Sequence, residues 1–93
     1  MTACYVVCFD ISNDHARDSV GKQLLRHGER VQESVFEVRL ASVQDLEALA
    51  AELRGMLDED DDLRFYRLCL DCRKASRDAR GHPVATFPAV VIV

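Results

Sequence analysis

The feature that most constrains the fold is an uninterrupted apolar run near the N-terminus. Residues 4–9 read CYVVCF and carry no charge, and the run ends directly on Asp10. A run of this length, rich in valine and aromatic side chains, predicts a buried β-strand. The chain has 93 residues, which is the size of one small domain. We therefore expect residues 1–93 to form a single domain that contains this strand.

Two amphipathic helices are predicted from their spacing and caps. Residues 12–14 (SND) offer N-caps for a first helix, in which Val20 and Leu24 recur at helical spacing. Gly28 follows where a glycine often terminates a helix. Ser42 begins a capping box whose fourth residue is aspartate, and it predicts the start of a second helix. The apolar face of this second helix is formed by Leu46, Leu49, Leu53 and Leu57.

Three further segments are predicted as strands. Residues 30–40 (RVQESVFEVRL) are rich in β-branched and aromatic side chains, but their alternation is imperfect. We therefore expect one strand with a bulge near Ser34 or with partial burial on both faces. Residues 63–70 (LRFYRLCL) predict a third strand, and residues 89–93 (AVVIV) predict a short C-terminal strand. Residues 73–83 are polar and predict turns.

The order of these elements predicts an α+β, ferredoxin-like fold, provided that the C-terminal region supplies the fourth strand. The βαββαβ order gives an antiparallel sheet with both helices on one face. The other face of the first strand carries Cys4, Val6 and Cys8, an apolar set where a solvated sheet normally has polar residues. A second copy of the chain would cover this face, so we expect a homodimer.

Charge is distributed unevenly along the chain. The formal net charge is −4, which argues weakly against a nucleic-acid partner. Residues 64–80, however, hold six basic and two acidic residues, and such a local surplus can follow a phosphate backbone. The alternative is a solvated surface segment. The acidic run DEDDD at residues 58–62 lacks the spacing of a calcium loop, so a solvated loop is expected there.

Neither a membrane span nor a signal peptide is recognisable. No apolar stretch reaches the roughly 18 residues that a transmembrane helix needs, and the N-terminus lacks a basic n-region. We expect a cytoplasmic protein with no membrane partner, in which disulfides are rare. Cys69 and Cys72 form one C-x-x-C, which is half of a zinc site without a second half. Structural or incidental cysteines are therefore favoured over metal ligands.

Asp10 is the leading candidate for chemistry because a carboxylate ends an otherwise apolar strand. Its parity places it on the face of Cys4, Val6 and Cys8, so a two-fold axis near the strand ends would bring two Asp10 side chains together. Facing carboxylates repel each other unless a cation lies between them. Mg²⁺ prefers oxygen ligands and could support phosphodiester hydrolysis. The alternative is that Asp10 caps the first helix or hydrogen-bonds its own turn.

Several segments together carry a resemblance to a known family. They are VVCFDISND at residues 6–14, Arg17, GERVQESVFEVRL at residues 28–40 and LRFYRLCLDC at residues 63–72. In this order and spacing they resemble the CRISPR-associated protein 2 family, the small subunit of the CRISPR spacer-acquisition complex. Residues 28–37 are the most specific part. The resemblance implies a ferredoxin-like homodimer in which Asp10 of each protomer binds Mg²⁺ or Mn²⁺ at the dimer axis.

The resemblance also implies roles for individual residues. By position, Asp10 matches the catalytic, metal-binding aspartate, and Arg17 and Arg30 match basic positions near that site. Ser34 and Phe36 match the SVF segment and would support the site or nucleic-acid binding. The alternatives are an ion pair with a neighbouring acid for each arginine and a place in the core for Phe36. The chain departs from the family at residue 9, where the usual Tyr is replaced by Phe.

Three functions are compatible with these observations. The resemblance implies an adaptor, in which a homodimer holds duplex DNA and bridges dimers of the CRISPR-associated integrase (protein 1 family) during spacer acquisition. It also implies a Mg²⁺-dependent endonuclease that cuts double-stranded DNA or single-stranded RNA. Both roles could be present in one protein. The remaining alternative is a ferredoxin-like regulatory or ligand-binding domain, which requires the family resemblance to be wrong.

Overall fold

Residues 2–86, which the computed structural model describes, form one antiparallel sheet with three helices. The elements are β1 (Ala3–Asp10), α1 (Asp14–Leu25), β2 (Gly28–Gln32), β3 (Val35–Leu40), α2 (Val43–Arg54), β4 (Asp62–Leu68) and α3 (Leu70–Ala75). The strands lie in the order β2-β3-β1-β4, and every neighbouring pair is antiparallel. Up to β4 this is the βαββαβ order of the ferredoxin-like fold. The predicted α+β class is therefore confirmed.

The hydrophobic core lies between the sheet and helices α1 and α2. Alternate residues of β1 and β3 point into it, and Leu49 and Leu53 of α2 close it, as the leucine spacing predicts. The core consists of Tyr5, Val7, Phe9, Ile11, Val20, Leu24, Phe36, Val38, Leu40, Leu49 and Leu53. Burying one such large side chain contributes about 1.5–3 kcal/mol. This packing holds both helices on one face of the sheet.

Both long helices begin at side-chain caps that the sequence predicts. Asn13 Oδ1 accepts a hydrogen bond from the backbone amide of Ala16 at 2.8 Å. Ser42 Oγ accepts one from the amide of Asp45 at 3.1 Å. Each bond satisfies a donor of the first helical turn, which no helical carbonyl can reach. The chain therefore enters both helices at defined residues.

Gly28 does not terminate α1, and its predicted role is wrong. The helix ends at Leu25, and Gly28 is the first residue of β2, paired with Val38. A Cβ atom at Gly28 would collide with the backbone carbonyl oxygen of Glu37. Glycine is therefore required here by the close approach of β2 to β3, and a sequence pattern cannot distinguish this from a helix end.

The prediction of a single strand over residues 30–40 is also wrong. The chain reverses at Glu33 and Ser34, and the two halves pair with each other as β2 and β3. The register shifts between Arg30 and Gln32, so the irregularity lies within β2 rather than at Ser34. The β-branched residues on both sides of the turn made the segment look continuous. This hairpin supplies the second and third strands of the fold.

The predicted third strand and the turn-rich segment after it also have different boundaries. β4 covers Asp62–Leu68, whereas Leu70, predicted as its last residue, begins α3. Residues 73–75, predicted as turns, belong to this short helix. The C-terminal strand predicted at residues 89–93 lies outside the described residues. Within residues 2–86, no helix is long and apolar enough to cross a membrane.

The face of the sheet opposite α1 and α2 is only partly apolar. On β1 it carries Val6 and Cys8, both half-buried, as the alternation predicts. The neighbouring strands place Glu37 and Tyr66 directly beside Val6. Ala85, in the chain after α3, is 5% exposed and lies beside Glu37 of this face. We call this surface the open face, because no helix of the βαββαβ unit covers it.

Candidate functional site

Asp10 is the last residue of β1, and its exposed side chain lies at one end of the open face. In the β1–β4 register it is paired with Asp62, the first residue of β4. Paired residues of antiparallel strands project to the same face, so two carboxylates stand side by side. A shallow cavity of about 280 Å³ at this position is lined by Cys8, Phe9, Asp10, Asp62, Arg64 and Tyr66.

Asp62 is a site residue that the sequence analysis missed. It was assigned to a solvated loop because it ends the acidic run DEDDD at residues 58–62. In the structure the strand begins one residue earlier than predicted, and Asp62 becomes part of the sheet. Only the pairing of β4 with β1 reveals its neighbour. The sequence analysis names only Asp10 at this position, whereas the structure places a second carboxylate, that of Asp62, in the same cavity.

Asp62 and Tyr66 hold the guanidinium of Arg64 in this cavity. Arg64 Nε donates to Asp62 Oδ2 at 3.0 Å, and Arg64 Nη1 donates to the Tyr66 hydroxyl at 3.3 Å. The hydrogen bond with Tyr66, followed by the charge of Asp62, raises the pKa of Arg64 above its usual range. The guanidinium group of Arg64, which stays protonated at any physiological pH, therefore lies next to the two carboxylates.

The alternative that Asp10 caps α1 does not hold. The N-cap of that helix is Asn13, whose side chain accepts the amide of Ala16. Within residues 2–86, no hydrogen bond or ion pair reaches the Asp10 carboxylate. The turn after β1 is instead tied by Asp61, whose Oδ1 accepts from the Ser12 amide at 3.3 Å. The carboxylate of Asp10 is thus available for a ligand.

Arg17 fixes the turn that follows Asp10 and does not contact Asp10 itself. Its Nη1 donates to the carbonyl oxygen of Ile11 at 2.7 Å, and its Nη2 pairs with Asp14. The alternative of an ion pair with a neighbouring acid is therefore observed. Because Ile11 directly follows Asp10, these contacts hold the end of β1 in place.

Arg30 and Phe36 lie on the helix-covered side of the sheet, opposite the Asp10 side chain. Phe36 is completely buried, so it belongs to the core and cannot stack on a nucleotide base. The Arg30 guanidinium lies over its ring, 5.2 Å from the ring centre. The carbonyl oxygen of Ser34 accepts a hydrogen bond from the Phe9 amide at 3.1 Å. Ser34 and Phe36 thus contact Phe9 near the end of β1, whereas Arg30 contacts the ring of Phe36.

Phe9, where the resemblance leads us to expect Tyr, points into the core. Its ring stacks on that of Phe36 with centres 6.0 Å apart and is 8% exposed. Successive residues of a strand point to opposite faces, so the Phe9 ring and the Asp10 carboxylate lie on different sides of the sheet. The substitution therefore changes the core rather than the carboxylate site.

Part of the basic surplus at residues 64–80 is used within the chain. Arg73 Nε donates to the carbonyl oxygen of Ala85 at 3.0 Å. Arg77 Nη1 donates to the carbonyl oxygens of Lys74 and Ser76. These hydrogen bonds hold the two side chains against the backbone, with Arg77 exposed and Arg73 half-buried. The surface near α3 therefore presents fixed rather than freely moving guanidinium groups, which suits contact with phosphates.

The donor set at Asp10 fits a hard divalent cation. Oxygen ligands favour Mg²⁺ or Mn²⁺, and Mg²⁺ is commonly held by one or two carboxylates together with water and phosphate. Among residues 2–86, no group of three or more His, Cys, Asp and Glu side chains is arranged to hold a metal. A single chain thus supplies at most the pair Asp10 and Asp62. A tighter site requires ligands from elsewhere, such as a second copy of the chain.

Comparisons with known proteins agree on one family. The family model described as CRISPR associated protein Cas2 matches residues 3–75. The chain is similar to the protein named CRISPR-associated endoribonuclease Cas2 1 of Chloroflexus aurantiacus, with 40% identity over 72 residues, which cover 75% of this chain and 76% of that relative. It is also similar to CRISPR-associated endoribonuclease Cas2 3 of Synechocystis sp., with 42% identity over 65 residues, 69% of this chain and 70% of the relative.

Solved structures show the same likeness. A chain of a partial Cas6-RT-Cas1–Cas2 complex superposes with a TM-score of 0.83 at 32% identity, covering 98% of this chain and 99% of that chain. Streptococcus pyogenes Cas2 superposes with a TM-score of 0.64 at 28% identity, covering 71% of this chain and 86% of that chain. The first likeness therefore includes residues after β4, among them α3.

Proposed function

Because the chain belongs to the CRISPR-associated protein Cas2 family, we propose that it acts in CRISPR adaptation, as a nucleic-acid-binding adaptor with a metal-dependent nuclease site. The observation that carries this proposal is the likeness, over 98% of the chain, to a chain of a complex that contains Cas1 and Cas2. Relatives named endoribonuclease support the catalytic part. The regulatory-domain alternative is dropped because the family match is established.

The adaptor role requires two copies of the chain, and we propose a homodimer that bridges dimers of the Cas1 integrase. The open face supports this, since Val6 and Cys8 are only half-buried and Tyr66 is 50% exposed there. A second copy would cover these side chains. The proposed complex binds duplex DNA through exposed arginines near α3 and acts in the cytoplasm. Light scattering at about micromolar concentration should show a dimer, and a monomer would contradict the proposal.

The nuclease site is proposed at Asp10, with Asp62 beside it and Asp10 of the second protomer completing the ligand set. The bound Mg²⁺ or Mn²⁺ would supply Lewis-acid stabilisation of the phosphodiester. Arg64 lies in the same cavity and would bind a non-bridging phosphate oxygen of the substrate. Arg17 holds the turn behind Asp10, so the carboxylate keeps its position when the substrate enters. The substrate is the phosphodiester backbone of RNA or DNA.

The test is a nuclease assay with wild-type protein and Asp10→Asn. Single-stranded RNA and duplex DNA would be incubated with Mg²⁺ or with EDTA, from about pH 6 to about pH 9. Asp60→Asn is the matched control, because it removes an exposed carboxylate of the loop before β4 without touching the cavity. We expect metal-dependent cutting by wild type and the control and none by Asp10→Asn.

The alternative is a purely structural adaptor without catalysis. It is favoured by one observation: residues 2–86 offer no preformed cluster of three metal ligands. Under this alternative none of the proteins cuts, yet all retain duplex binding that weakens steeply with added salt. Spacer integration in a reconstituted Cas1 reaction would then proceed with Asp10→Asn. Truncation before Pro88 should abolish it in either case if the C-terminal residues dock the integrase.

A further inference from the structure

Two cysteines outside the proposed nuclease site lie at the start of α3. Cys69 is the N-cap of this helix, Cys72 is in its first turn, and both are exposed. The Cys69 sulfur accepts a hydrogen bond from the Cys72 amide at 3.2 Å. The C-x-x-C predicted to be structural or incidental is thus an accessible pair joined by a sulfur–amide hydrogen bond.

The two sulfurs can be joined by a movement of the first turn of α3. Cys69 is the N-cap in extended backbone and Cys72 is the third helical residue, and the Cys69 sulfur already lies 3.2 Å from the Cys72 amide nitrogen. A disulfide requires Cβ atoms about 3.5–4.5 Å apart. Helix α3 has six residues and none of them is buried, so the movement disturbs no core packing. A strand followed by C-x-x-C at a helix start is also the local arrangement of thiol–disulfide redox motifs.

We propose that Cys69 and Cys72 form a reversible dithiol–disulfide pair, oxidised by exchange with a small disulfide such as oxidised glutathione. The cavity next to Cys69 has a volume of about 340 Å³ and is lined by Arg67 and Arg73 among others. Their positive charges suit the carboxylates of glutathione. The pair lies away from the nuclease site but beside the arginines proposed to bind DNA, and the inference does not depend on the nuclease or adaptor role.

Cys69 is the attacking thiol and Cys72 the resolving one. Hydrogen bonds from the Cys72 side chain and backbone lower the pKa of the Cys69 thiol, and the same side-chain contact raises the pKa of the Cys72 thiol. The Cys69 thiolate attacks one sulfur of oxidised glutathione and releases one glutathione thiolate, which leaves a mixed disulfide. Cys72 then loses its proton to solvent, attacks the Cys69 sulfur and releases the second glutathione. Two electrons pass from the protein to the small disulfide.

Formation of the disulfide should change a contact of the chain that follows α3. Arg73 is the residue after Cys72, and its Nε donates to the carbonyl oxygen of Ala85 on the open face. A shift of the first turn of α3 therefore moves the donor that anchors Ala85. Amide hydrogen exchange at Ala85 should consequently differ between the reduced and the oxidised protein.

The test is a redox titration of the whole chain. Protein would be equilibrated with mixtures of oxidised and reduced glutathione, alkylated with iodoacetamide and analysed by mass spectrometry after proteolysis. We expect a peptide with a Cys69–Cys72 bond that appears and disappears reversibly with the glutathione ratio. In Cys72→Ser, glutathione should accumulate on Cys69. Cys8→Ser is the matched control, because Cys8 lies on β1 away from the pair, and it should titrate as wild type.

Three outcomes would overturn the proposal. The first is that Cys69 and Cys72 remain alkylatable at every glutathione ratio. The second is that only bonds between chains form, or bonds that involve Cys8. The third is that Cys72→Ser accumulates no glutathione on Cys69, which would remove the assigned attacking role. The pair is exposed, so serine variants are expected to fold, and an unchanged circular dichroism spectrum would check this.

Discussion

The two faces of the sheet are built from the same strands but differ in almost every physical property. The helix-covered face contributes Val7, Phe36 and Val38, each with no exposed surface. The open face carries Asp10 and Arg64 within the same pair of strands, both exposed. Successive residues point to opposite faces, so neighbours in sequence serve different purposes. Stability is concentrated on one face and ionisable chemistry on the other.

The exposure of the open face explains how the site tolerates charged side chains. A carboxylate in the core would have to be paired or neutralised, because burial of an isolated charge is very unfavourable. On the open face, Asp10 remains in contact with solvent, and Asp62 is paired with Arg64. The strand end is kept rigid from the opposite face by the packing of Phe9 on Phe36. A rigid support beneath an accessible carboxylate is a suitable arrangement for ligand binding.

The largest expected effect comes from removing an aromatic ring on the helix-covered face. Phe36→Ala should lower the free energy of unfolding by about 3–5 kcal/mol, because the ring is fully buried and leaves a cavity. Tyr66→Phe is the control on the open face: it keeps the ring, removes only the exposed hydroxyl that contacts Arg64, and should change this free energy by no more than about 0.5 kcal/mol. Urea unfolding followed by circular dichroism measures both. Equal losses in the two variants would show that the open face is also packed.

Substituting Asp10 or Asp62 should have a smaller effect on stability but should clearly weaken metal binding. Asp10→Asn should change the free energy of unfolding by less than about 0.5 kcal/mol, since its carboxylate has no hydrogen bond or ion pair among residues 2–86 to lose. Asp62→Asn loses an exposed ion pair with Arg64 and should cost at most about 1 kcal/mol. Isothermal titration with Mn²⁺ should nevertheless show weaker binding for both. If Asp10→Asn bound Mn²⁺ as tightly as wild type, the Asp10 carboxylate would not be a ligand of the metal.

The smallest effect is a pH dependence at Glu37, in the middle of the open face. Partial burial, and then the neighbouring charge of Glu29, raise the pKa of Glu37 above its ordinary value of 4.5. The folded chain therefore holds this proton more tightly than the unfolded chain. The stability that protonated Glu37 contributes is complete at pH values below its pKa in the unfolded chain. It is lost as the pH rises through its pKa in the folded chain.

Glu37→Gln should remove this loss of stability at higher pH, because glutamine carries no proton that titrates there. At neutral pH the variant should be more stable than wild type, by no more than about 1 kcal/mol because the side chain is half-exposed. Thermal unfolding between about pH 4 and about pH 7 measures the difference, and Glu47→Gln on the exposed side of α2 is the control. A difference that is constant over this range would show that Glu37 does not titrate differently in the folded chain.

Much of the fold could be predicted because local signals are strong. The apolar run of β1, the caps at Asn13 and Ser42 and the leucine spacing of α2 all depend on neighbours along the chain. The hairpin at residues 33–34 could not be predicted, since its two strands share one composition. Helix α3 was missed because it is short and buries no side chain, so no apolar periodicity marks it.

The sequence by itself determined that Asp10 ends a buried strand, on the face opposite the Phe9 ring, because alternation along a strand is a local property. Only the tertiary structure decided that Asp62 and Arg64 stand beside it, because strand register depends on residues far apart in the chain. The same holds for Phe36, whose burial requires α1 and the sheet to close around it. Local chemistry thus identifies the carboxylate, and long-range pairing determines what surrounds it.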